Sequence, residues 1–325
     1  MRYTWFEALT GRPEEPMNVA SAIRVDDEWL EVIETERRMR FGRFETPRLG
    51  DLRVRSEEAD RPGGVTIREV IADVKDIHRD PSNAGALVQA ASQFNTLEMP
   101  APEVTPEAGI AEYESDHTQG PACAISCGAG TIYRNYFVPL DRQIGQSEDL
   151  QVDCLADMAS ALGQDIRMQN GYARPTPEQL DEIATTLEEV SEDEIDDLRE
   201  ELRIGIQWNT EVTISEDRHT VTQVYGSALP IGYSDRRDNW EPFARLVLEA
   251  SYEATLHAAL INAHATGNNR VFLTLLGGGV FGNKTEWIVD AIETSLHWFR
   301  DSGLDIRIVS YGSPNRELTR LLHPA

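Results

Sequence analysis

Hydrophobic and polar positions along the chain change period several times, and each change marks an element. From Ile23 to Phe44 the residues IRVDDEWLEVIETERRMRFGRF alternate apolar with polar, turn-like at Asp26-Asp27 and Glu36, which predicts two or three short antiparallel strands. A polar break follows at Glu57–Gly64, EEADRPGG. Val65 to Val74 predicts a strand ending at Asp73, and Gly85 to Ala91, GALVQAA, a second apolar strand running into SQFNTLEM. Thr105-Pro106-Glu107 has the hydroxyl cap and first-turn proline of a helix start. The small-residue run from Gly120 to Thr131 suits either close helix packing or close approach to a ligand. Thr176 to Arg203 is acidic with a helical period, and Thr176-Pro177-Glu178-Gln179 and Ser191-Glu192-Asp193-Glu194 resemble capping boxes, so two short helices are expected there.

The carboxyl half is more regular. Gly205–Ser215 and Arg218–Ser227 alternate as two strands about the turn Glu216-Asp217. Asn239 to His264 carries Phe243, Leu246, Val247, Ala250, Leu256, Ala259, Leu260 and Ala263 at helical spacing and stops at Gly267. Val271 to Leu276 is apolar without alternation, as a strand covered on both faces would be. A helix over Thr285–Arg300 and a strand over Leu304–Tyr311 complete a βαβαβ succession. The predicted fold class is three-layer α/β/α with a mixed, mostly parallel sheet. Residues 1–64 are read as an N-terminal β extension to a domain spanning 65–325, with an acidic helical hairpin inserted at 175–204.

Composition narrows the class without changing this layout. At 325 residues and 40% apolar content the chain can bury a substantial core. No apolar run approaches the ~20 residues that cross a bilayer, and MRYTWFEALTGRPEEP lacks a signal-peptide pattern, so a cytoplasmic protein with no membrane partner is expected. The formal charge of −26 argues against an extended nucleic-acid face. Cys123, Cys127 and Cys154 read as reduced core thiols; Cys123 and Cys127 near His117 could be imagined as metal ligands, but no fourth ligand follows, and neither a metal nor a cofactor is expected. His257, His264 and His297 lie in helical segments and read as structural.

The densest chemistry lies at Gly277, Gly278 and Gly279, followed by Val280, Phe281, Gly282 and Asn283. Glycines between a strand and a helix allow positive φ and let backbone N–H groups reach an anion at a helix N-terminus, although the same sequence can be a tight βα turn. The spacing is neither a Walker loop nor a dinucleotide fingerprint. A ligand of this layout is expected at the carboxyl ends of the strands.

VTQVYGSALPIGY, then the long helix, then VFLTLLGGGVFGN resemble the carboxyl half of a macrodomain, the ADP-ribose-binding fold, with a looser similarity to its poly(ADP-ribose) glycohydrolase-like members. The resemblance spans roughly residues 65 to 313. It implies that Gly278–Gly282 wrap a diphosphate and distal ribose, with Phe281 packing on the ribose. It also implies that Asp73, in VIADV where the family has Gly-Asp-Ile, accepts from the adenine amino group. Gln89 and Ser92 stand where the family has asparagines, leaving Gln93 or Asn95 to serve the distal ribose. The only small-residue match to the first phosphate loop is Gln119–Thr131, and the glycohydrolase signature of glycines followed by Gln-Glu-Glu is absent.

The partner implied is ADP-ribose or an ADP-ribosylated macromolecule. An ADP-ribosyl hydrolase also needs an acid or activated water at the distal ribose. Asp116, in SDHTQGPA, is the carboxylate best placed by sequence, with His117 and Gln119 as polar partners; a loop or capping role for Asp116 remains the alternative. A reader that binds without turnover, or a scaffold with a vestigial pocket, would use the same glycine loop.

Overall fold

The computed structural model describes residues 3–59, 63–234 and 239–322. The first alternating stretch forms a three-stranded antiparallel meander of β1 Ile23–Asp26, β2 Trp29–Val32 and β3 Arg37–Arg40. Its turns place Asp27 and Glu36 at positive φ. Leu30, Val32 and Met39 point inward and cluster with Phe6 of the helix Trp5–Thr10, which at six residues is too short to announce a period in sequence. Residues 60–62 of the predicted polar break lie outside the described residues.

β4 Arg43–Glu45 pairs with β7 Gly205–Glu211. Sheet hydrogen bonds therefore cross the division read at residue 64. The other strands of this sheet are β5 Thr66–Ile71, β6 Leu87–Ala91, β8 Thr220–Gly226, β9 Arg270–Leu273 and β10 Asp305–Ser310. The seven-stranded order is β4-β7-β8-β6-β9-β10-β5. β8, β6, β9, β10 and β5 run parallel, and β7 is antiparallel to both its neighbours.

β6 shows why this sheet is central. Leu87 belongs to the core shared with the long helix Trp240–Thr266, whereas Val88 and Ala90 face Ala122 and Cys123 on the opposite side. A strand sandwiched in this way is apolar on both faces, with the period of two hidden in the run. The same division places Val271 and Leu273 on one side of β9 and Phe272 on the other.

Two strands end earlier than the sequence predicts, and the reasons are local. β9 stops at Leu273 because the next amides leave the ladder: Thr274 N–H donates to Gln89 Oε1 at 3.2 Å and Leu276 N–H to Tyr252 Oη at 2.9 Å. β5 stops at Ile71 because Asp73 caps the helix Val74–Arg79, its carboxylate accepting from Lys75 N–H at 2.8 Å. The small-residue run, read as a possible phosphate loop, is instead two helices, Gln119–Ser126 and Gly128–Tyr136, packed against the sheet. Cys123, Cys127 and Cys154 are buried and unpaired. The acidic hairpin forms as predicted, Pro177–Glu189 and Glu192–Glu200, with both capping boxes made. Among the described residues no helix is long and apolar enough to cross a membrane.

Candidate functional site

A cavity of about 800 Å³, counting its open mouth, lies at the carboxyl ends of β6, β8 and β9. Ala91, Ser92 and Gln93 enter it after β6, Gly226 and Ala228 after β8, and Thr274 to Gly277 after β9. Two buried polar side chains hold these strand exits together. Gln89 donates to Thr255 Oγ1 at 2.9 Å while accepting from Thr274, and the hydroxyl of Tyr252 donates to the Thr274 carbonyl at 2.7 Å. Gln89 thus has both amide groups engaged in tying the long helix to the strands.

One wall is the glycine loop. Gly277 and Gly282 have φ of 71° and 73°, and the turn closes with Gly282 N–H on the Gly279 carbonyl at 3.0 Å and Asn283 N–H on the Gly277 carbonyl at 3.0 Å. Gly232 approaches so closely that a Cβ there would sit 2.2 Å from the Val280 carbonyl oxygen; its N–H donates to the Phe281 carbonyl at 2.8 Å. The carbonyls of Gly277, Gly279 and Phe281 are thus consumed inside the protein. Among the described residues, the consecutive amides of Gly279, Val280 and Phe281 donate to no protein acceptor, and all three residues line the cavity. Consecutive free N–H groups on one loop favour an anion.

The opposite wall is carboxylic. Glu98 is 5% exposed, its Oε1 is buried without a hydrogen-bond partner, and its backbone N–H donates to Tyr113 Oη at 3.1 Å. Burial pushes its pKa well above the ordinary 4.5, and the nearby charge of Asp116 adds to the rise, against the opposing pull of Arg134. Gly120 makes room for this carboxyl, since a Cβ there would lie 2.2 Å from Glu98 Oε2. An aromatic group forms the third side: Tyr172 and Phe281 rings are 5.5 Å apart, and Tyr233 lies 5.0 Å from Tyr172 and 5.8 Å from Phe281.

The residues named from sequence divide clearly. Gln93, Asp116, Gln119, Gly277, Gly279, Val280 and Phe281 line the cavity. Asp73, Asn95, His117, Gly278, Gly282 and Asn283 do not. Asp73 is occupied as a helix cap, Asn95 is buried and bonded to Gln151 at 2.8 Å, and His117 is exposed. Asn283 supports the loop from behind, donating to the Leu229 carbonyl at 2.9 Å. Asp116 accepts from Thr118 N–H at 2.8 Å yet still faces the cavity. Gln119 is committed at both ends of its amide, accepting from Ala91 N–H and donating to the Gln89 carbonyl, so it clamps β6.

Glu98, Tyr172 and Tyr233 have no counterpart in the sequence reading. The only signal for Glu98 is one carboxylate inside the apolar stretch NTLEMP; the tyrosines are brought together by the fold. Among the described residues no group of histidine, cysteine and acidic side chains is arranged to hold a metal ion.

No family model and no curated protein matches the chain. Among solved structures it is similar to a poly(ADP-ribose) glycohydrolase from Deinococcus radiodurans in complex with ADP-ribose, at 14% identity and TM-score 0.45 over 86% of this chain and 94% of that one. It is similar also to the enzyme from Thermomonospora curvata bound to the inhibitor ADP-HPD, at 14% identity and TM-score 0.44 over 95% of this chain and 94% of that one. At these values the likeness carries nothing about the role of any residue.

Proposed function

We propose that the chain binds an ADP-ribosyl group in this cavity and hydrolyses its glycosidic linkage. The observation that carries the reading is the pairing, across one cavity, of the free amides of Gly279–Phe281 with the buried carboxyl of Glu98. The amides suit a diphosphate. The sequence resemblance to a macrodomain loop points the same way, and the Phe281–Tyr172–Tyr233 group offers an apolar surface to a sugar face.

Cleavage at an anomeric carbon passes through an oxocarbenium-like state and needs an acid for the departing oxygen and a carboxylate for the incoming water. Burial holds Glu98 toward its neutral form, the form that can give a proton. As the carbon–oxygen bond breaks, Glu98 protonates the leaving oxygen; water adds to the anomeric carbon and its proton passes to Asp116, after which the pair re-equilibrates with solvent. Asp73 and Asn95 act in this reading as supports of the surrounding strands and loop, whereas Gln93 lines the cavity with its amide engaged to the Met99 backbone. No cofactor or metal takes part, and no nucleic-acid or membrane face is required. Three free, buried thiols fit a cytoplasmic protein.

Calorimetric titration with ADP-ribose tests the pocket, and absence of binding at millimolar ligand would refute the reading. Gly279→Glu sharpens it: a Cβ there meets nothing within 4 Å, so the fold should persist while a carboxylate occupies the anion site. Binding should be lost with the melting temperature unchanged. Incubation with ADP-ribosylated protein or nucleic acid, with Glu98→Gln and Asp116→Ala as controls, then tests hydrolysis; binding without turnover would leave a reader module.

A further inference from the structure

Resting on the reading of Glu98 as the acid, we propose that Arg134 is its positioning residue, holding the loop that carries Glu98 and supplying the buried counter-charge to its carboxylate. Arg134 is fully buried in the helix Gly128–Tyr136, yet among the described residues it makes no ion pair. Its guanidinium is spent on neutral acceptors: Nε donates to the Thr96 carbonyl at 2.9 Å, Nη1 to Tyr225 Oη at 2.5 Å and Nη2 to Thr131 Oγ1 at 3.3 Å. It also lies 3.7 Å from the centre of the Tyr225 ring. A buried cation without a hydrogen-bonded carboxylate is costly, and such groups persist where their charge is used.

The geometry shows the use. Thr96 is held at φ 62°, a conformation unfavourable for a β-branched residue, and lies two positions before Glu98. The Thr96 carbonyl is therefore a handle on a strained turn, and Arg134 grips it from the core. The grip is itself anchored. Tyr225 Oη donates to Gln223 Oε1 at 2.5 Å, and Gln223 Nε2 donates to the Cys123 carbonyl and to His78 Nε2, each at 2.9 Å. His78 Nδ1 in turn faces the Val74 carbonyl at 2.8 Å, which makes it the protonated nitrogen. Buried hydrogen bonds thus run from the helix Val74–Arg79 through the sheet to the Glu98 loop.

The titratable and charged groups facing Glu98 are Arg134 from one helix, Cys123 from the other, Tyr113 and Asp116 from the turn before that helix, Tyr172 from the short strand Tyr172–Ala173 and Tyr225 from β8. Burial raises the three phenols and the thiol, so they stay neutral at physiological pH. Arg134 and Asp116 remain, acting in opposite senses on Glu98.

The test follows the Glu98 side-chain carboxyl by carbon-13 NMR across pH in the full chain, together with amide hydrogen exchange of residues 93–99. Arg134→Met removes charge and grip: the Glu98 midpoint should rise by about one pH unit or more and loop protection should fall. Arg134→Lys keeps the charge without the forked geometry, so the midpoint should stay near wild type while protection falls and kcat drops at least tenfold with KM little changed. Tyr225→Phe is the milder variant if the Arg134 variants fail to fold, and should loosen the same loop. Folded variants with an unchanged Glu98 midpoint and unchanged loop protection would overturn the proposal. A shifted midpoint in a protein whose wild type hydrolyses nothing would instead leave Arg134's role standing and remove the proposed activity.

Discussion

Glu98 carries two opposed demands in one side chain. Its carboxyl is buried, one oxygen lacks a partner, and its pKa is raised first by burial. A carboxyl raised in the folded state contributes stability that is fully present below the ordinary value of 4.5 and is lost as pH climbs through the folded value. Glutamine stays neutral at every pH. Glu98→Gln should therefore match wild type in urea unfolding near pH 4 and become progressively more stable than it toward pH 8, while turnover falls about 10²- to 10⁴-fold. Parallel stability curves for the two proteins would show that Glu98 titrates normally. Gly120→Ala acts on the same carboxyl by contact. The added Cβ would meet the Ala91 carbonyl at 2.3 Å as well as Glu98 Oε2, and the backbone oxygen cannot step aside. Urea unfolding should register a loss of about 1–3 kcal/mol, with turnover reduced in parallel.

Between elements, the most concentrated joint is Arg53 on the helix Leu49–Ser56. It reaches Asp196 and Glu200 of the acidic hairpin and Glu253 of the long helix, at 2.7, 2.8 and 2.7 Å. Glu253 is buried, which alone would raise its pKa, but bonds from His257 and Arg53 outweigh burial and hold it below the ordinary range; Asp196 is lowered chiefly by Arg53. Removing Arg53 strands Glu253, and after allowance for the half-exposed hairpin carboxylates Arg53→Ala should cost about 2 kcal/mol. Lowered carboxylates give stability above their unfolded values and lose it as pH falls, so the gap between variant and wild type should close below about pH 4. Elements of this kind were the legible ones: the hairpin declares both caps, and the long helix its own period. The helices over Gln119–Tyr136 were not. A run of glycine, alanine and cysteine suits both close helix packing and a ligand loop until a facing surface exists, and here that surface is Glu98, Gln207 and Trp5 pressing on Gly120, Gly130 and Gly128. Half of the site was hidden for the same reason. The glycine loop is contiguous, whereas Glu98, Tyr172 and Tyr233 meet only after the sheet has closed.

For the molecule as a whole, charge decides how an anion can be held. The chain carries a formal −26, and among the described residues no lysine or arginine lines the pocket. Most surface arginines are spent on carboxylates, as at Arg24–Glu31, Arg199–Glu249 and Arg245–Asp290. A diphosphate must then approach against a repulsive field and be captured by uncharged amide dipoles at Gly279–Phe281. Salt acts on these two parts unequally. It screens the long-range repulsion, whose reach falls from about 30 Å at 0.01 M to about 8 Å at 0.15 M, and hardly touches short amide contacts. Affinity for ADP-ribose should therefore strengthen as sodium chloride is raised from about 0.01 to 0.15 M, opposite to a site that captures phosphate through clustered cations, whose affinity falls with salt. Calorimetry at three salt concentrations reads the sign directly. A dissociation constant that rises with salt would mean that cationic side chains, not the amides of the glycine loop, hold the diphosphate.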